Sequence, residues 1–128
     1  MQTGGAGNRS SSKATVIAFP GAFPGHRTLQ VGFERLELQR ILDLYGRMVA
    51  AGQWRDYAMD FGRDAASFCA FRRASEQPQA RIEKRPELHH KQGMWTLFGE
   101  AGQVLKRGHE LAGVLSPLER RLLKVVEG

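Results

Sequence analysis

From Glu34 onward the apolar residues Leu38, Ile41, Leu42, Tyr45, Met48 and Val49 recur at spacings of three and four, the stripe of one amphipathic helix. Glu34 and Glu37 fall in its first turn, where negative charge complements the helix dipole, and Gly52 follows as a stop. The spacing therefore predicts a helix over about Phe33 to Ala51. Gly46 inside it costs about 1 kcal/mol relative to Ala and is read as the mark of a close crossing against another element.

After Gly52 the period becomes two. Tyr57, Met59 and Phe61 alternate with Asp56, Ala58 and Asp60, and Gly62, Arg63 and Asp64 turn the chain into a second strand over Ala66 to Arg73. In that second strand Phe68 and Phe71 have opposite parity, so a regular strand sends them to opposite faces. A third strand, Gln79 to Arg85, places Ala80 and Ile82 inward and Arg81, Glu83 and Arg85 outward, and Pro86 ends it. A polar loop containing His89 and His90 leads to a fourth strand over Met94 to Phe98, and a short fifth follows over Gln103 to Lys106. Helix returns from about His109 to Leu115. Ser116, Pro117 and Glu119 then form a capping box with Pro at the first helical position, which starts a separate last helix on Leu118, Leu122, Leu123 and Val126.

Helices segregated from a run of short-linked strands define an α+β class: a four- or five-stranded antiparallel meander with an N-terminal helix and C-terminal helices packed on one face. Residues 31–128 form a single α+β domain. Residues 1–30, rich in Gly, Ser, Thr and Pro and without sustained periodicity, read as a disordered or extended basic tail.

Composition narrows this picture. A chain of 128 residues with 41% hydrophobic content has material for one core. The formal charge of +6 is split: Arg9, Lys13 and Arg27 precede the first acid, so from Glu34 onward sixteen basic residues face thirteen acidic ones, a net +3. The domain is thus only mildly attractive to polyanions. Cys69 stands alone, which excludes an intrachain disulfide and accords with a reducing compartment. The apolar stretch Val16 to Phe23 is too short and Pro-broken for a signal segment, and no run reaches the roughly 18 residues of a membrane span. The expected setting is cytoplasmic, with no membrane partner.

The strongest chemical candidate is a basic group: Arg72, Arg73, Arg81, Lys84, Arg85, Lys91, Lys106 and Arg107. Guanidinium forks suit phosphate or carboxylate, and with Phe71 and Trp95 on the same open face they would pair aromatic plates with cations, as single-stranded nucleic acid requires. The alternative is a solvated face in which Glu76, Glu83, Glu87 and Glu100 are cross-strand partners. Phe71, Trp95 and Leu97 are the candidates for a protein interface, either with an unknown partner or in a homodimer. No metal site is expected, because adjacent His89 and His90 diverge on a strand and stand roughly 100 degrees apart on a helix, neither of which chelates one ion readily, and His26, His109 and Cys69 lack zinc-type spacing. No catalytic residues or cofactors are assigned. The acids Asp56, Asp60 and Asp64 and the serines Ser67 and Ser75 match a hydrolase inventory without any ordering, and Gly4, Gly5 and Gly7 lack the strand, Lys and helix of a phosphate loop.

The segments LYGRMVAAGQWRDYAMDF, FRRASEQPQARIEKRPEL and LKRGHEL resemble the signature stretches of a small alphaproteobacterial family built on a domain of unknown function, over about Phe33 to Leu115. The resemblance implies a bacterial, cytosolic, single-domain protein and carries over no site residues. The element order is also similar to that of the double-stranded RNA-binding domain, with Lys106 and Arg107 standing before a helix where that fold contacts phosphates. The expected function is a non-enzymatic binding or accessory module working through protein contact on the sheet face. RNA or DNA binding by an arginine-rich sheet surface is the alternative.

Overall fold

The computed structural model describes residues 30–73 and 77–127. The expected tail, apart from Gln30, and the partner acid Glu76 lie outside the described residues. Helix α1 (Arg35–Ala50) is followed by five strands, β1 (Asp56–Phe61), β2 (Ala66–Phe71), β3 (Ala80–Lys84), β4 (Trp95–Phe98) and β5 (Val104–Gly108), and by helix α2 (Leu111–Glu127). A single 3-10 turn, Pro86–Leu88, opens the loop between β3 and β4. The strands form one open antiparallel sheet in sequence order. The fold is α+β, as the periodicities predict, although its five strands exceed the three of the double-stranded RNA-binding order.

Helix α1 starts where Glu34 leaves the extended conformation; its N–H donates to Glu37 Oε1 at 2.8 Å. It stops at Gly52, whose φ of 77° only glycine adopts freely and whose N–H donates to the Val49 carbonyl. Ile41 and Met48 are fully buried from its stripe together with Leu44, which lies outside that stripe; Leu42 and Tyr45 pack beside them, and Val49, assigned to the stripe, is 39% exposed. Gly46 does not mark a close crossing: a Cβ there would meet nothing within 4 Å.

The register puts Tyr57, Met59, Phe61, Ala66, Phe68, Ala70, Ala80, Ile82, Trp95 and Leu97 on one sheet face. Both helices cover that face. Tyr45 of α1 meets the rings of Phe68 and Tyr57, and Leu111, Val114, Leu115, Leu118 and Leu122 of α2 join the same core. Gly93 seats the loop against β5, since its φ of 103° and its approach to Gly108 leave no room for a Cβ.

One expectation fails at the C-terminus. Leu111 to Glu127 is one helix with Pro117 inside it, rather than two helices separated at Ser116. The buried positions Leu111, Val114, Leu115, Leu118 and Leu122 form one continuous stripe across the proline. At about 1.5–3 kcal/mol per buried leucine, that packing outweighs the roughly 3 kcal/mol that an interior proline costs. Gly113, whose carbonyl loses its donor, is exposed to water. Glu119 is not a cap residue; it receives two hydrogen bonds from Arg47 of α1 at 3.0 and 3.2 Å and ties the helices together. Leu123 and Val126, assigned to the buried stripe, are 57% and 65% exposed.

Because packing holds α2 in spite of Pro117, Pro117→Ala should stabilise the protein by about 1–3 kcal/mol. A higher urea midpoint with unchanged slope is the expected readout.

Candidate functional site

With the helices on one side, the opposite face of the sheet carries two cross-strand rows. The first runs Ala58, Cys69, Arg81, Phe98, Val104, and the second Asp60, Ser67, Glu83, Thr96, Arg107. Phe71 extends this face beside Asp56, its register partner. The opposite parity of Phe68 and Phe71 is realised as expected: Phe68 is in the core and Phe71 is half-buried on the uncovered side.

Two of the three interface candidates do not belong to this face. Trp95 and Leu97 share the parity of Ile82 and lie in the core, 2% and 0% exposed. Only Phe71 remains on the open face, and the aromatic that joins it is Phe98, one residue beyond Leu97 and therefore on the other side. Phe98 carries the Arg81 guanidinium 5.7 Å from its ring centre.

The basic group separates in the same way. Arg81 Nη2 lies 3.2 Å from Glu83 Oε2, and Arg85 Nε lies 3.6 Å from Glu83 Oε1 and reaches toward Glu87, so these two cations share one half-buried carboxylate. Arg107 donates to Thr96 Oγ1 and Gln92 Oε1. Lys91 is exposed in the loop before β4, and Lys106, opposite Leu97, stands at the helix side of the sheet margin. Glu100 accepts a long bond from Gln79 rather than from a cation.

Lys84 is not a surface cation at all. It is 6% exposed, on the helix-covered face, where Nζ donates to Glu37 Oε1 at 2.7 Å and to the Gly32 carbonyl at 2.9 Å. The Trp95 ring lies 5.8 Å away and is itself stacked on Phe33. Even parity with Ile82 points Lys84 inward, a signal visible in the sequence but masked by the residue type.

Arg72 and Arg73 are brought together with Arg55, which the sequence reading passed over. The three arginines and Asp56 line an open depression of about 320 Å³ at the edge where β1 begins and β2 ends. Hairpin register was the available signal: the residue before a first strand lies beside the residue after its antiparallel partner. Here the Arg55 N–H donates to the Phe71 carbonyl at 2.8 Å.

Burial raises the Cys69 thiol above its ordinary pKa; Arg81, across the strand pair, opposes this, and Asp60 adds to it. Contrary to the expected divergence, His89 and His90 bring their rings together at 3.7 Å, because the loop is neither a strand nor a regular helix there, and His89 Nδ1 lies 2.9 Å from the Pro86 carbonyl. Among the described residues no group of three or more His, Cys, Asp or Glu could hold a metal ion, and no helix is long and apolar enough to cross a membrane.

The model of a protein family described as protein of unknown function (DUF2794) matches residues 31–115. No curated protein and no solved structure matches the chain.

Removing Lys84 leaves Glu37 without its cation in a largely dry site, so Lys84→Met should cost about 3 kcal/mol. Lys106→Met should stay within about 0.5 kcal/mol, and urea unfolding of the two variants separates a structural lysine from a surface one. A raised thiol pKa leaves less thiolate near neutrality, so Cys69 should alkylate with iodoacetamide at pH 8 more slowly than free cysteine. Arg81→Ala should slow it further, and denaturant should restore the free-thiol rate.

Proposed function

The chain belongs to the family described as protein of unknown function (DUF2794), and from that premise we propose that it is a non-enzymatic binding module that pairs with another protein through its open sheet face. One observation carries this reading: both helices pack on one side of the sheet, while the other side keeps Phe71, Phe98 and Val104 beside Arg81 without a covering element among the described residues. Val104 is 47% exposed and adjoins Phe98 across the strand pair.

The occupant that fits this face is a second copy of the chain. Asp60 on β1 and Arg107 on β5 stand at opposite ends of one row, with Phe98 and Val104 in the neighbouring row, so a two-fold contact sets Asp60 of one protomer against Arg107 of the other beside an apolar pair. The RNA- or DNA-binding alternative draws less support from the sheet, where Arg81 and Arg85 share Glu83, Lys84 is buried, and the acids interrupt any cationic track. A reducing, cytoplasmic setting accords with the lone thiol on the same face.

Sedimentation equilibrium of the full chain should show a monomer–dimer equilibrium in the micromolar range. Phe98→Asp, with its fold checked by circular dichroism, should shift the equilibrium to monomer. A wild-type chain that stays monomeric across the soluble range, or a Phe98→Asp variant that dimerises as well as wild type, overturns the pairing.

A further inference from the structure

We infer that the depression lined by Arg55, Asp56, Arg72 and Arg73 is a binding site for a dianionic phosphoryl group, such as inorganic phosphate or a phosphomonoester. This site is separate from the pairing proposed for the open face, and either can fail alone.

The backbones of the three arginines are held by sheet structure. Arg55 immediately precedes β1, Arg72 and Arg73 immediately follow β2, and the Arg55 N–H to Phe71 carbonyl bond closes the ladder between them. With their backbones ordered in this way, the three arginines that line the depression close on a ligand with less loss of backbone freedom than three arginines on a free loop. Planar forks match the oxygens of a phosphoryl group in pairs, which an ammonium cannot do. Charge selects among oxyanions: among the described residues three arginines against Asp56 leave a formal +2, the complement of a dianion. A volume of about 320 Å³ lies at the low end of small-ligand sites, roughly 300–1,000 Å³.

A nucleic-acid backbone fits less well. Each phosphodiester carries one charge, and affinity for a strand grows by adding phosphate contacts along a cationic track. Next to this corner the open face offers Ala58 and Cys69 and then Arg81, whose guanidinium is paired with Glu83, while Asp60 and Glu83 stand farther along the strands, so no cationic track leads away from the corner.

Isothermal titration of the full chain with inorganic phosphate, with ionic strength held constant by chloride, should show saturable one-to-one binding. Phenyl phosphate should bind in the same way and tighten from pH 5 to pH 8 as it gains its second charge, while a dialkyl phosphodiester should bind at least about tenfold more weakly. Arg55→Gln or Arg73→Gln should each weaken phosphate about tenfold or more, Arg73→Lys should recover part of the loss, and Lys106→Gln should leave it unchanged. Thermal unfolding checks that these exposed variants keep the fold. The inference is overturned by the absence of saturable phosphate binding, or by equal affinity in the Arg55→Gln and Arg73→Gln variants. Single-stranded oligonucleotide binding that phosphate does not displace would likewise assign the corner to an extended polyanion.

Discussion

The packing of this domain turns on one buried ion pair. Lys84 enters the helix-covered face at the end of β3 and gives hydrogen bonds to Glu37 and to the Gly32 carbonyl, while Trp95 lies beside its ammonium. The same Glu37 oxygen accepts the Glu34 N–H that begins α1. One carboxylate therefore joins the start of the helix to the middle of the sheet. A buried pair of this kind adds little net stability compared with apolar packing, but its geometry is demanding. Sliding β3 by one residue would turn Lys84 out and Glu83 in, leaving Glu37 without a cation. The position of α1 over the sheet and the register of β3 are thus tied to each other.

That tie decides which face is covered. Phe33 stacks on Trp95 and meets Phe61 edge-on, continuing the contact from the segment before α1 across to β1 and β4. Helix α2 completes the cover over β4 and β5, held to α1 by Arg47 and Glu119. Strands β2, β3 and β4 then have one face committed to the core, Met59 of β1 packs against it, and β5 stays largely exposed. The residues of odd parity in β2 and β3, and of even parity in β1 and β4, remain on the other side, which is why Phe71 and Phe98 are neighbours of arginine rather than of leucine.

Charge follows the same geometry. A group of eight basic residues, continuous enough along the chain to read as one surface, is distributed by the sheet into a buried structural lysine, two arginines sharing Glu83, cations at the sheet margin, and a corner where Arg72 and Arg73 meet Arg55. The corner keeps a local positive excess. The face between is mixed in sign, a character suited to protein contact more than to a polyanion.

Strand order, the helix–sheet–helix succession and the parity of Phe68 against Phe71 were legible in the chain because they depend on short-range periodicity, and local side-chain direction follows backbone geometry. Three features were not. The last helix runs through Pro117 because a stripe packed against the sheet and α1 outweighs a local breaker. Trp95 and Leu97 are core residues because the helices chose their face, and strand alternation alone does not say which face is covered. Lys84 is buried because Glu37, forty-seven positions away in the chain, supplies the compensating charge. Periodicity assigns each residue to one of two sides; only long-range packing and charge pairing decide which side is the interior, and therefore which arginines and aromatics are left on the open face.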